Sequence, residues 1–212
     1  MTPQQLKQKF NYTSIGPFHE GLAWAVQDGK YFHIRPNGNP AYTARYDAVG
    51  HFHEGLARAR QDGKYFHIRL DGNPAYTARY DDVGHFHEGL AWARQDGMEF
   101  HIRLDGNPAY TARYDDVGDF HEGLAWARQD GMEFHIRPDG NPAYTARYDD
   151  VGDFHEGLAW AGQDGKYFHI CPNGNPAYTA RYNAVKNFHE GRAWVCQGDM
   201  WFCIHPDGTR AK

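Results

Sequence analysis

Residues 86–119 read FHEGLAWARQDGMEFHIRLDGNPAYTARYDDVGD, and residues 120–153 repeat them with one change, Leu104 against Pro138. The pattern runs outward in both directions, marked by Phe18, Phe52, Phe86, Phe120, Phe154 and Phe188, each 34 residues after the last. Six units result, and the first and last are the most diverged, as terminal units of an array are. A fixed period of this length marks solenoids, propellers or arrays, whose units bury their apolar faces only against neighbours. Units this alike leave little room for one unique active site.

Within the first unit, Gly21–Gln27 runs into Asp28-Gly29 and then Lys30–Arg35. An Asp-Gly pair between two short strand-like runs signals a type I′ hairpin. A turn at Pro36–Pro40 precedes Ala41–Tyr46, which reads as a third strand. The stretch 46–54, with Gly50, reads as a fourth strand or as the crossover to the next unit. A two-residue loop fixes the register: Gln27 opposes Lys30, Val26 Tyr31, Ala25 Phe32, Trp24 His33 and Ala23 Ile34. Alternation then places Ala23, Ala25, Phe32 and Ile34 on a core face and Leu22, Trp24, Tyr31, His33 and Arg35 on a mixed face. The repeats test this register internally. Where Val26 becomes Arg94 or Arg128, Tyr31 becomes Glu99 or Glu133, which sets opposite charges across the strands.

The expected fold is all-β, six 34-residue repeats of three to four short antiparallel strands. Residues 9–212 make six whole periods, which suits a six-bladed propeller-like ring; an open superhelical array is the alternative. Thr2-Pro3 followed by Gln-Gln-Leu-Lys-Gln-Lys-Phe reads as an N-cap, a Pro at N1 and a short helix, so residues 1–10 form a helix or cap and 11–212 a single domain.

The chain has 212 residues, with 22 Lys+Arg and 27 Asp+Glu for a formal charge of -5, spread without blocks. That argues against nucleic acid and anionic membrane as partners. No stretch reaches the roughly 18–20 apolar residues of a membrane span. The start carries no apolar leader, and Cys171, Cys196 and Cys203 are an odd number in the last units, so a reduced, cytoplasmic setting is expected.

The residues resemble the WG-containing repeat family of bacterial proteins. The resemblance rests on Phe-His-Glu-Gly-Leu-Ala-Trp-Ala, Asp-Gly-Lys-Tyr-Phe-His-Ile, Pro-Asp-Gly and Arg-Tyr-Asp-Asp-Val-Gly-Asp-Phe, recurring in order over residues 11–208. The eponymous Trp-Gly positions hold Tyr31-Phe32 here, Met98-Glu99-Phe100 departs further, and Trp201 alone restores the Trp. The resemblance implies a repeat protein and carries no catalytic residues.

Fourteen histidines fall mostly in two registers, His19 and its equivalents before Glu, and His33, His67, His101, His135 and His169 between Phe and Ile. Adjacent His and Glu point to opposite sides of an extended strand, so no metal and no cofactor are expected; His33 and its equivalents read as surface residues stacked on the Trp row. Asp81-Asp82, Asp115-Asp116 and Asp149-Asp150 read as turn formers rather than acid/base pairs. The register sets Cys196 and Cys203 diagonally in the last unit. The leading expectation is a non-catalytic scaffold or binding module for protein partners, not an enzyme. Its candidate binding residues are Trp24, His33, Arg35, Trp92, His101, Arg103, Trp126, His135, Arg137, Trp160 and His169, because exposed aromatics with Arg are typical of interface hot spots. The alternative is a multivalent carbohydrate binder with one site per repeat.

Overall fold

A computed structural model describes residues 2–211. After the helix α1 (Pro3–Phe10), eighteen strands form six three-stranded antiparallel sheets. They are β1 Ser14–Ile15, β2 Ala23–Gln27 and β3 Lys30–Ile34; β4 Ala48–His53, β5 Leu56–Gln61 and β6 Lys64–Arg69; β7 Asp82–Val83, β8 Leu90–Gln95 and β9 Met98–Arg103. The remaining three sheets are β10 Asp116–Val117, β11 Ala125–Gln129 and β12 Met132–Ile136; β13 Asp150–Val151, β14 Ala159–Gln163 and β15 Lys166–Ile170; β16 Ala184–Val185, β17 Ala193–Gln197 and β18 Met200–Ile204. The chain divides into two compact units, Met1–Gly97 with Ile102–Pro108, and Met98–His101 with Ala109–Lys212.

The hairpin register is the expected one: Ala23 pairs Ile34, Trp24 His33, Ala25 Phe32, Val26 Tyr31 and Gln27 Lys30. Asp28 and Gly29 have φ of 52° and 73°, the two left-handed residues that a type I′ turn requires. The substitution test holds for Arg128 and Glu133, which face each other and share hydrogen bonds of 3.0 and 2.5 Å. Ala23, Ala25, Phe32 and Ile34 and their equivalents are the buried core, except that Phe202 in the last repeat is only half-buried. Cys196 faces Trp201 and Cys203 faces Trp194, and all three cysteines are free thiols.

The third strand is not where alternation suggests. Residues 41–46 form a bent loop with isolated bridges, and the first strand of each sheet comes from the crossover instead. The cause is local. Arg45 Nη1 donates to the carbonyls of Tyr42, Thr43 and Ala44, consuming the acceptors a ladder would use, while its guanidinium lies 3.7 Å from the Phe32 ring centroid. Arg79 on Phe66, Arg113 on Phe100, Arg147 on Phe134 and Arg181 on Phe168 repeat this cation–π contact at the same distance.

A second tight turn, also unforeseen, precedes each hairpin. Glu20 and Gly21 both have positive φ, and His19 and Leu22 exchange backbone hydrogen bonds across them. Glu is strained in that region. In the second unit the strain has a return: the Glu122 carboxylate accepts the N–H groups of Glu156 and Gly157 at 2.7 and 2.8 Å, and Glu156 does the same for Glu190 and Gly191. The turns at Glu156-Gly157 and Glu190-Gly191 are thus anion nests filled by the preceding repeat. Tyrosine hydroxyls add a second tie, as from Tyr114 to the Gly140 carbonyl and from Tyr148 to that of Gly174, both 2.5 Å.

Helix α1 begins as expected, with Thr2 and Gln5 forming a capping box and Pro3 at the first turn. Its Leu6 and Phe10 pack on Gly38, the position that Tyr42 covers at Gly72 and Tyr110 at Gly140. The helix therefore supplies the apolar cover that a preceding repeat supplies elsewhere.

Candidate functional site

The histidine row expected on a partly exposed face is buried. His33 and His67 expose 1 %, and His101, His135 and His169 none. A lone hairpin has one wet face, but stacked repeats cover both: Phe52 lies on His33, and Phe154 on His135, with ring centroids 4.6 Å apart. Both ring nitrogens are spent inside the array. In the fourth repeat His135 Nε2 is 2.9 Å from the Gly152 carbonyl and Nδ1 is 2.6 Å from the Tyr144 hydroxyl. A carbonyl only accepts, so Nε2 carries the proton and Nδ1 accepts the phenolic one. Burial holds the imidazole pKa down at about 4 and pushes the Tyr144 phenol up. His33 with Tyr42 and Gly50, and His169 with Tyr178 and Lys186, repeat the arrangement. These histidines are framework, not a surface for ligand; the recurrence of Tyr nine residues later was the available signal.

The arginines are exposed, yet they brace their own loops. Arg35 donates to the Pro40 and Ala41 carbonyls at 2.7 and 2.9 Å, Arg137 to those of Pro142 and Ala143, and Arg103 to that of Pro108. Trp24, Trp92, Trp126 and Trp160 are half-buried, each indole lying on a glycine of the first strand's end: Gly16, Gly84, Gly118 and Gly152. A Cβ at any of these glycines would fall on the indole, so any other residue there forces the indole to move. The second repeat departs. Arg58 replaces the Trp, ion-pairs with Asp82 and lies 4.1 Å from the Tyr65 ring centroid, so that Gly50 carries no indole and has room for a Cβ at ordinary contact distance.

Concave surfaces open to a ligand lie in both units. In the second unit, Trp160, Tyr167, Asp150, Asn183, Ala184 and Val185 line a cleft of about 340 Å³. In the first unit, Leu56, Leu70 and Leu104 with Arg69, Glu54 and Asp71 border a groove of about 570 Å³, and Leu70 and Leu104 are each 53 % exposed. Repeats one, four, five and six carry Pro36, Pro138, Pro172 and Pro206 at this position.

Of the paired aspartates, the first of each pair caps a hairpin turn: Asp149 accepts from the Asp164 N–H at 2.8 Å and Asp115 from that of Asp130. Asp150, the second of its pair, stands beside a buried glutamate whose burial spacing did not reveal. Glu133 accepts from Arg128 and from the Val151 N–H, and burial followed by the Glu133 carboxyl lifts the Asp150 pKa to about 6.

Among known structures, Hsv2 of Kluyvelomyces marxianus is similar with a TM-score of 0.55 at 8 % identity, over 95 % of this chain and 86 % of that one. KlHsv2 with loop 6CD replaced by a Gly-Ser linker gives 0.51 at 9 % identity, over 92 % and 76 %. At such identity the likeness shows the fold alone, which is propeller-like. No curated protein matches the sequence significantly. The WG containing repeat matches six times, at residues 9–31, 34–65, 68–98, 102–132, 136–167 and 172–201. Six matches in order, over most of the chain and on the same residues that build the six sheets, establish that the chain belongs to the WG containing repeat family.

Proposed function

We propose that the protein is a non-catalytic repeat scaffold that binds a protein partner in the cytoplasm, where its three cysteines stay as thiols. The observation that carries this reading is the groove of Leu56, Leu70 and Leu104, which offers exposed aliphatic surface beside Arg69, Glu54 and Asp71. Such a surface takes an apolar side chain of a peptide and pairs its flanking charge. The Trp row is the second contact area, through the exposed edges of Trp24, Trp92, Trp126 and Trp160. Arg35, Arg103 and Arg137 contribute only their outward faces, since their donors are engaged. Selection from a random peptide library tests the reading: enriched sequences should carry an aliphatic or aromatic anchor and lose binding to the Leu70→Glu, Leu104→Glu protein. Enrichment indifferent to those changes refutes the groove.

A carbohydrate reading is favoured by the Trp160 and Tyr167 cleft, where two aromatic rings meet Asp150 and Asn183. A glycan array with wild type and Trp160→Ala separates the two: sugar binding lost in the variant supports the second reading.

A further inference from the structure

We propose that the first unit holds a site for one late first-row divalent cation, such as Zn²⁺, built from His19, His51, His53 and His85. These imidazoles stand just before the hairpins that begin with β2, β5 and β8. His19 and His53 have ring centroids 4.9 Å apart, His53 and His85 4.4 Å, and His19 and His51 5.8 Å. With a metal–nitrogen bond of about 2.0–2.1 Å, an imidazole centroid stands about 3.2 Å from the ion, so two rings at 90–110° are about 4.5–5.2 Å apart. Two of the three spacings are close to that range.

The chemistry of the nitrogens agrees. His19 Nδ1 is 3.0 Å from the Phe52 carbonyl, so Nδ1 carries the proton and Nε2 presents its lone pair, the arrangement in which metal-binding imidazoles are held. His51 Nδ1 is buried and has no hydrogen-bond partner. Imidazole without thiolate or a carboxylate cage suits zinc, nickel or copper rather than magnesium or calcium.

The backbone departs from the repeat at the same place. β4 runs six residues where the other first strands run two, and its pairing with β5 shifts between Val49 and Phe52. A bulge re-aims the side chain it carries, here His51. The residue before the recurrent Phe is His only at His51 and His85; the other repeats have Pro17, Asp119, Asp153 and Asn187. Arg58, the nearby cation, is turned onto Asp82 and Tyr65. Among the described residues no three donors converge as the side chains stand, so binding requires ring rotation.

Protein purified without an affinity tag and treated with chelator should take up one Zn²⁺ per chain in a calorimetric titration, and Co²⁺ should give the visible bands of nitrogen ligation. His53→Ala should weaken Zn²⁺ binding at least tenfold, and His85→Ala should weaken it too, with unchanged circular dichroism. His155→Ala, in the second unit, should leave it intact. Absence of saturable uptake overturns the proposal, as does uptake equally affected by His155→Ala or unaffected by His53→Ala. If His53→Ala proves unfolded, histidine ring resonances of the wild type decide: Zn²⁺ must shift those of His19, His51, His53 and His85 selectively.

Discussion

Acidification should unfold this array through its buried histidines. His33, His67, His101, His135 and His169 each have a folded pKa held near 4 by burial, against about 6.5 in an unfolded chain. Between those values the unfolded state binds more protons, so stability is fully present above about pH 6.5 and falls as pH drops toward 4. One displaced proton is worth about 1.4 kcal/mol per pH unit. The three imidazoles of the second unit, His101, His135 and His169, therefore remove about 4 kcal/mol between pH 5.5 and 4.5, and in the first unit His33 and His67 remove about 3, to which His85, also held near 4 by burial, adds. Either is a large share of a typical 5–15 kcal/mol. Urea denaturation followed by tryptophan fluorescence at half-unit steps from pH 7.5 to 4.5 measures the slope. In His135→Gln, which keeps a donor for the Gly152 carbonyl and does not titrate, the slope should fall by about 1.4 kcal/mol per pH unit. Stability that changes by less than about 1 kcal/mol down to pH 5 would refute the buried neutral state, and an unchanged slope in the variant would refute the role of His135.

Phe134→Ala should cost about 3–5 kcal/mol in denaturant melts, since the ring is fully buried beneath Arg147. Gly118→Ala should cost about 1–3 kcal/mol by displacing the Trp126 indole, and in a double-mutant cycle with Trp126→Ala most of that cost should vanish. Asp150→Asn should raise the melting temperature at pH 7.5 and leave it nearly unchanged below pH 4, because a carboxyl lifted to about 6 penalises the fold only where it must ionise.

What the sequence made legible was whatever depends on one hairpin. Asp28-Gly29, the alternation of Ala and Phe, and the joint change at Arg128 and Glu133 set register and core without any knowledge of neighbours. What it hid depends on stacking. Period-2 alternation supposes one covered face and one wet face, and so it put His33 on the surface. The next repeat's Phe52 and Gly50 carbonyl cover it, and only contacts across units show that. Ala41–Tyr46 has strand composition, yet Arg45 turns inward onto Phe32 and takes three successive carbonyls, which propensity cannot register.

The same logic says where to look for function in such an array. Residues that recur in most repeats, the His, Tyr, Arg and Gly above, recur because the junctions need the same hydrogen bonds and the same clearance, so repetition here identifies framework. The binding surfaces proposed above lie at departures from the repeat. Leu70 and Leu104 stand where the other repeats have Pro, and they open a groove with aliphatic surface. Arg58 stands where Trp would cover Gly50, and His51 and His85 stand where later repeats have Asp or Asn. These departures all fall within residues 51–104, so the first unit bears both the groove and the imidazole cluster. The binding expectation that began from the most regular residues thus transfers to the least regular ones.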